Sequence, residues 1–273
     1  MAISAKELPL GKVFTPDFRF TIPSFQRAYI WKTENILQLV SDLDDACKSP
    51  GTPYFLGSLI LVREGDNRYD VIDGQQRLVS LSLIIAVLRD LERDPDLMRQ
   101  LDALLVEPGD KLRGIVTEPR LTLRERDAAF FREHVQEDNL ESVFDMNDDD
   151  LATAAQRNIV ANIRKTYDEI SNWSDAGRQQ FAQYLVNEVT LVIVTTDDLD
   201  GAHRIFDVMN MRGLPLTSSD VFKARATAGL STAELDVYAA RWDDIIDPIG
   251  DDPHDCEEFF CLLYTSDAAD DSL

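Results

Sequence analysis

Tyr69–Leu91, YDVIDGQQRLVSLSLIIAVLRDL, is the stretch whose reading decides the fold. Tyr69, Val71 and Ile72 read as a short buried strand, and Asp73-Gly74 as a turn. From Gln75 onward, Leu78, Leu81, Ile84, Ile85, Leu88 and Leu91 recur at helical spacing. The stretch therefore predicts strand, tight glycine turn, then helix. The junction has a chemical use, because the first N–H groups of a helix lack intrahelical partners and lie at its positive end. A phosphate fits there. Gly74 permits close approach, Arg77 can fork onto phosphate oxygens, Gln75 and Gln76 can donate amides, and Asp73 can hold a metal or a water. The same residues also fit a plain Asp-Gly turn ahead of an amphipathic helix, with Arg77 solvated.

Upstream, Phe18–Ile22 alternates as a strand and Pro23 forces an extended entry into SFQRAYIW. Gln26 and Arg27 sit there among Phe25, Tyr29, Ile30 and Trp31. They suit one wall of a base or phosphate pocket, or else a core segment with Arg27 as an ion-pair partner. Before it, Ala2–Phe14 reads as a short helix or turn. Thr33 caps a helix carrying Ile36, Leu39, Val40 and Leu43. Tyr54–Val62 is a second buried strand, with Gly57 marking a close backbone approach.

Downstream, Arg120–Arg124 reads as a strand and Glu125–Val135 as a helix. Arg120, Arg124, Arg126 and Arg132 form the densest cationic stretch, either a solvated face or a phosphate or DNA contact. Asn147–Asp150 lacks the glycine and glutamate of a calcium loop and reads as the cap of a helix over Leu151–Ile170. Asp175–Asn187 is helical, and the β-branched Val189–Thr195 is a central strand. Asp200–Asn210 is a helix again. In NMRGLPLTSSD a turn at Gly213 and Pro215 precedes a helix carrying Asp220 and Lys223. That pair lies three apart and can share one helix face. Ala233–Ile246 is a last helix.

Three blocks now stand in order: IPSFQRAYIW, DGQQR after a strand, and FDVMNMRGLPLTSSDVFKA. Together they span Ile22–Lys223 and resemble the N-terminal domain of GmrSD-type restriction enzymes, a family related in fold to the ParB and sulfiredoxin-like proteins. The resemblance implies an α+β fold: a small ParB-like mixed sheet built near Phe18, Tyr54, Tyr69, Leu121 and Leu191, with a helical subdomain beside it. The expected divisions are 1–139 for the nucleotide-binding core and 140–188 for the helical subdomain. Residues 189–250 supply a returning strand and cap helices, and 251–273 an acidic linker and tail. It further implies nucleoside triphosphate binding and hydrolysis in defence against modified phage DNA. Asp73, Gln76 and Arg77 would be catalytic, and Gln26, Arg27, Gly74, Gln75, Asn210, Arg212, Asp220 and Lys223 nucleotide-binding. Mg²⁺ is the expected cofactor, with no ligand set assigned. The alternative is a module that senses a nucleotide or modified base without turnover, because no complete Walker-type phosphate loop is present. Direct nuclease action ranks last, since no HNH or paired-carboxylate signature appears.

Composition bounds these readings. Lys plus Arg is 27 against 50 Asp plus Glu, a net charge of −23 that disfavours broad binding to a phosphate backbone. Any DNA contact is expected from a local basic patch, a further domain or a partner subunit. Three cysteines and three scattered histidines argue against a disulfide framework or a zinc site. No apolar run reaches the roughly 20 residues of a membrane span, and no secretory signal opens the chain, so the cytoplasm is the expected compartment. The closing CLLYTSDAADDSL, Cys261–Leu273, fits no preceding element. It reads as translated adapter sequence on a chain cut near Phe260. A C-terminal HNH-type nuclease domain, which the resemblance implies, is then expected to be missing.

Overall fold

The computed structural model describes residues 3–210, apart from 50, 111, 113, 115 and 138, together with 234, 237, 238 and 241. The chain divides into two compact units. One comprises Met1–Pro23 and Ala28–Asp207, the other Ser24–Arg27 and Val208–Leu273.

The first unit opens with β1 (Ser4–Pro9), α1 (Leu10–Val13), β2 (Arg19–Thr21) and α2 (Thr33–Cys47). The hairpin β3 (Tyr54–Arg63) and β4 (Arg68–Asp73) follows, then α3 (Gln75–Leu91) and α4 (Pro95–Leu105). Next come β5 (Val106–Glu107), β6 (Glu118–Pro119), β7 (Leu121–Thr122) and α5 (Glu125–Phe131), which runs into a π-turn at Arg132–Gln136. Then come α6 (Ser142–Asp145), α7 (Ala154–Ser171), α8 (Asp175–Asn187), β8 (Val189–Thr196) and α9 (Leu199–Asn210).

The fold is α+β, as expected. Six strands form a mixed sheet in the order β1-β8-β3-β4-β2-β7, and β5 and β6 pair separately. All five segments expected to build the sheet lie in it. Of the stretch expected as helix or turn, the short α1 is the helix and the first part is the sixth strand, β1. Its residues are mostly exposed and carry no apolar alternation; β1 is a strand because β8 offers an antiparallel edge, with Leu8 opposite Leu191.

One sheet face carries Leu59, Leu61, Tyr69, Val71, Leu191 and Ile193 into the main core with α2, α3, α7 and α8. α3 is its centre. Every residue from Leu78 to Leu88 is buried, so this is a core helix rather than the expected amphipathic one. Its buried Arg89 donates to the Gln136 and Val135 carbonyls at 2.9 and 3.2 Å and to Asp102 at 2.8 Å. It thereby satisfies the open end of the π-turn.

Two further expectations change. Asn147–Asp150 is not the cap of α7; Thr153 is, accepting from the Gln156 N–H at 3.1 Å. Of the arginine stretch, Arg126 and Arg132 are exposed, as a solvated face requires, but Arg120 and Arg124 are not. Arg120 and Arg124 are buried on Glu107 (3.0 Å) and Asp127 (3.1 Å), and Arg132 pairs with Glu137 (2.8 Å). Arg19 joins the first pair at 2.9 Å, and its hydrogen bond, foremost, holds the Glu107 carboxyl below its ordinary range.

Candidate functional site: the turn between β4 and α3

The turn is built by two strands and a helix. β3 and β4 run antiparallel with Ile60 opposite Asp73, and the register shifts just beyond, between Ile60 and Leu61. Gly74 then takes φ +93°, a left-handed value that L side chains avoid, and α3 begins at once. A Cβ at Gly74 would lie 2.2 Å from Leu59 Cδ2 and 3.1 Å from the Ser58 carbonyl. Only glycine lets the turn sit this close on β3.

The N-terminus of α3 is open. No side chain caps it, and its first turn holds no acid. The backbone amides of its first turn are therefore unsatisfied within the helix, and the field of a 17-residue helix reinforces them. Beside them lies Arg77. Its Nη1 donates to the Leu56 carbonyl at 3.2 Å, and its Nη2 pairs with Asp73 Oδ2 at 3.1 Å. The guanidinium seats over Gly57, φ +113°, where a Cβ would lie 2.1 Å from Nη1. Both partners stay partly open, at 22% exposure for Arg77 and 30% for Asp73. The cation is held by the fold yet partly exposed, as is its carboxylate partner.

The two glutamines differ. Gln75 is buried. Gln76 has its carboxamide committed to backbone: Oε1 accepts from the Ile30 N–H at 2.9 Å, and Nε2 donates to the Ala28 carbonyl at 2.9 Å.

Asp73, Gly74, Gln75, Gln76 and Arg77 thus meet at one turn, joined by Leu56–Ser58 of β3. Gln26 and Arg27 belong to the other unit and both have partners there or elsewhere. Asn210 closes α9. Arg212, Asp220 and Lys223 lie outside the described residues, as does the expected helix Ala233–Ile246 apart from single positions. Among the described residues no three or more His, Cys, Asp or Glu side chains come together as a metal group.

Sequence reading passed over three residues bonded to the segment around Tyr29: Ser80, Asn158 and Asn162. Tyr29 Oη bonds Ser80 Oγ at 2.7 Å and accepts from Asn162 Nδ2 at 2.8 Å. Burial pushes its hydroxyl well above the usual range, so it stays protonated. One signal was available: Asn158 and Asn162 lie four apart on α7, beside the apolar Ile159 and Ile163.

The model of the GmrSD restriction endonuclease N-terminal domain family matches residues 10–227, well over half of the chain. The chain belongs to that family, and with it to the restriction proteins that defend against foreign DNA. No curated protein matches the chain. Among the described residues no helix is long and apolar enough to cross a membrane.

Proposed function

We propose that the β4–α3 turn binds the phosphates of a nucleoside triphosphate and that the chain hydrolyses it to license cleavage of modified DNA. The observation that carries this reading is the N-terminus of α3, uncapped and with no acid in its first turn, beside a guanidinium seated over a glycine and paired with Asp73. Free amides, helix field and a forked cation all favour a polyanion at one place.

The chemistry needed is mainly positioning and charge neutralisation. The amides at the start of α3 and Arg77 hold phosphate oxygens, and Gly74 and Gly57 keep side chains out of the way. A phosphate on Arg77 competes with Asp73, whose freed carboxylate would be the group to orient water or hold Mg²⁺. Mg²⁺, when bound, would neutralise charge on the phosphates. Gln76, expected as catalytic, enters this reading through the backbone it holds. Roles for Gln26, Arg27, Asn210, Arg212, Asp220 and Lys223 rest on the family resemblance, and alanine variants test each in turn. DNA is reached through an HNH-type nuclease domain or a partner subunit.

The test is phosphate release from each triphosphate, with and without Mg²⁺ and DNA. Arg77→Ala should lower binding and turnover by about 10–100-fold while the protein stays folded. Undiminished turnover in that variant would refute the assignment. A second reading, sensing without turnover, is favoured by the commitment of Gln76 to backbone. Tight binding with no phosphate release would select it.

A further inference from the structure

Ala28–Lys32 is a strap without helix or strand, and each of its residues is bonded to a side chain of α3 or α7. From α3, Gln76 takes the Ala28 carbonyl and the Ile30 N–H at 2.9 Å each, and the Trp31 N–H at 3.3 Å. From α7, Asn158 Nδ2 donates to the Tyr29 carbonyl at 3.1 Å, and its Oδ1 accepts from Lys32 Nζ at 3.2 Å. Asn162 Nδ2 donates to the Trp31 carbonyl and to Tyr29 Oη, both at 2.8 Å.

Stability alone does not account for this arrangement. Asn162 and Ser80 are fully buried, and Asn158 and Tyr29 nearly so. Asn162 Oδ1 and, one turn further along α7, Thr166 Oγ1 are buried with no partner. Such orphaned acceptors cost about 1–3 kcal/mol each, which well-packed apolar side chains would avoid. What carboxamides supply and apolar groups do not is direction: they fix the strap's backbone at chosen atoms.

We propose that Gln76, Asn158 and Asn162 are positioning residues that act through Ala28–Lys32, tying the anion-binding first turn of α3 to α7. The proposal rests on phosphate binding at that turn. Gln76 belongs to the turn itself, so its amide fixes the turn and the strap together. The two asparagines hold the same strap from α7. Loosening α7's grip therefore alters anion affinity at a turn that neither asparagine touches.

The experiment compares four full-length variants with the wild type: Gln76→Leu, Asn162→Leu, Tyr29→Phe and Arg77→Ala. Calorimetric titration uses inorganic tripolyphosphate, which reports the phosphate site alone, and then ATP, GTP, CTP and UTP. All are measured well below each variant's melting midpoint. Gln76→Leu and Asn162→Leu should bind tripolyphosphate about tenfold or more weaker, the scale expected when positioned groups shift. Tyr29→Phe removes a buried hydroxyl but leaves every backbone anchor in place. It should lose stability and keep near wild-type affinity. Should Asn162→Leu not fold, Asn158→Ala carries the same comparison. Wild-type affinity in both Gln76→Leu and Asn162→Leu, with binding lost in Arg77→Ala, overturns this proposal alone. So does a Tyr29→Phe affinity that falls in step with its stability. Absence of binding in the wild type overturns the phosphate reading and this proposal together.

Discussion

Arg77 shows how one cation is fixed by its neighbours in the fold. It is long enough to wander in solvent, yet Leu56, Asp73 and the bare backbone of Gly57 define its seat. Gly57→Ala should therefore separate binding from folding. The new Cβ meets only the flexible end of Arg77, but φ +113° remains, so stability should fall by about 1–3 kcal/mol. The displaced guanidinium should lower tripolyphosphate affinity further than that loss explains, as calorimetry and thermal melting together will show. Asp70, on β4, supplies a pH prediction. Burial first, then the nearby Glu64, raises its carboxyl from 3.8 to about 6. The folded chain thus keeps a proton that the unfolded chain releases between those values. This contribution to stability falls as pH rises through the window, and the full penalty stands above it. Asp70→Asn should raise the melting temperature by about 2–4 °C at pH 7.5 and leave it unchanged near pH 4. A gain at both pH values would remove the assignment.

At the scale of elements, α3 joins the site to the core. Its first turn is uncapped and its last holds Arg89, whose donors close the π-turn after α5. Arg89→Leu should destabilise the protein by about 3–5 kcal/mol, because several carbonyls lose their donor in a dry environment. A denaturant midpoint within error of wild type would contradict this. The strand and helix flanking DGQQR were legible because Val71, Ile72 and the run from Leu78 to Leu88 are apolar at the right period. β1 was not, since its conformation comes from the edge of β8 and not from its own side chains. Arg120 and Arg124 misled for the same kind of reason: charge is visible in a sequence, whereas Glu107 and Asp127 find them only after folding.

Across the whole molecule, the net charge of −23 opposes compaction. Raising NaCl from about 0.01 M to about 1 M shortens the screening length about tenfold. The melting temperature should then rise by about 2–4 °C for each ~1 kcal/mol of repulsion relieved. A flat or falling curve would mean that the acidic groups are already compensated within the fold. The same charge fits a restriction-family domain that leaves contact with the DNA backbone to other surfaces. The sequence by itself determined the glycine turn between a buried strand and a helix, because that depends on local spacing and on which residues shun water; the α+β class and the family followed from the resemblance carried by the three motif blocks. Only the tertiary structure decided that Arg77 is seated on Gly57 and paired with Asp73, and that Gln76 and two asparagines of α7 share one strap. Apart from Asp73, four residues before Arg77, those partners lie well apart along the chain, and the distance between them is set by how the sheet and α7 pack around α3.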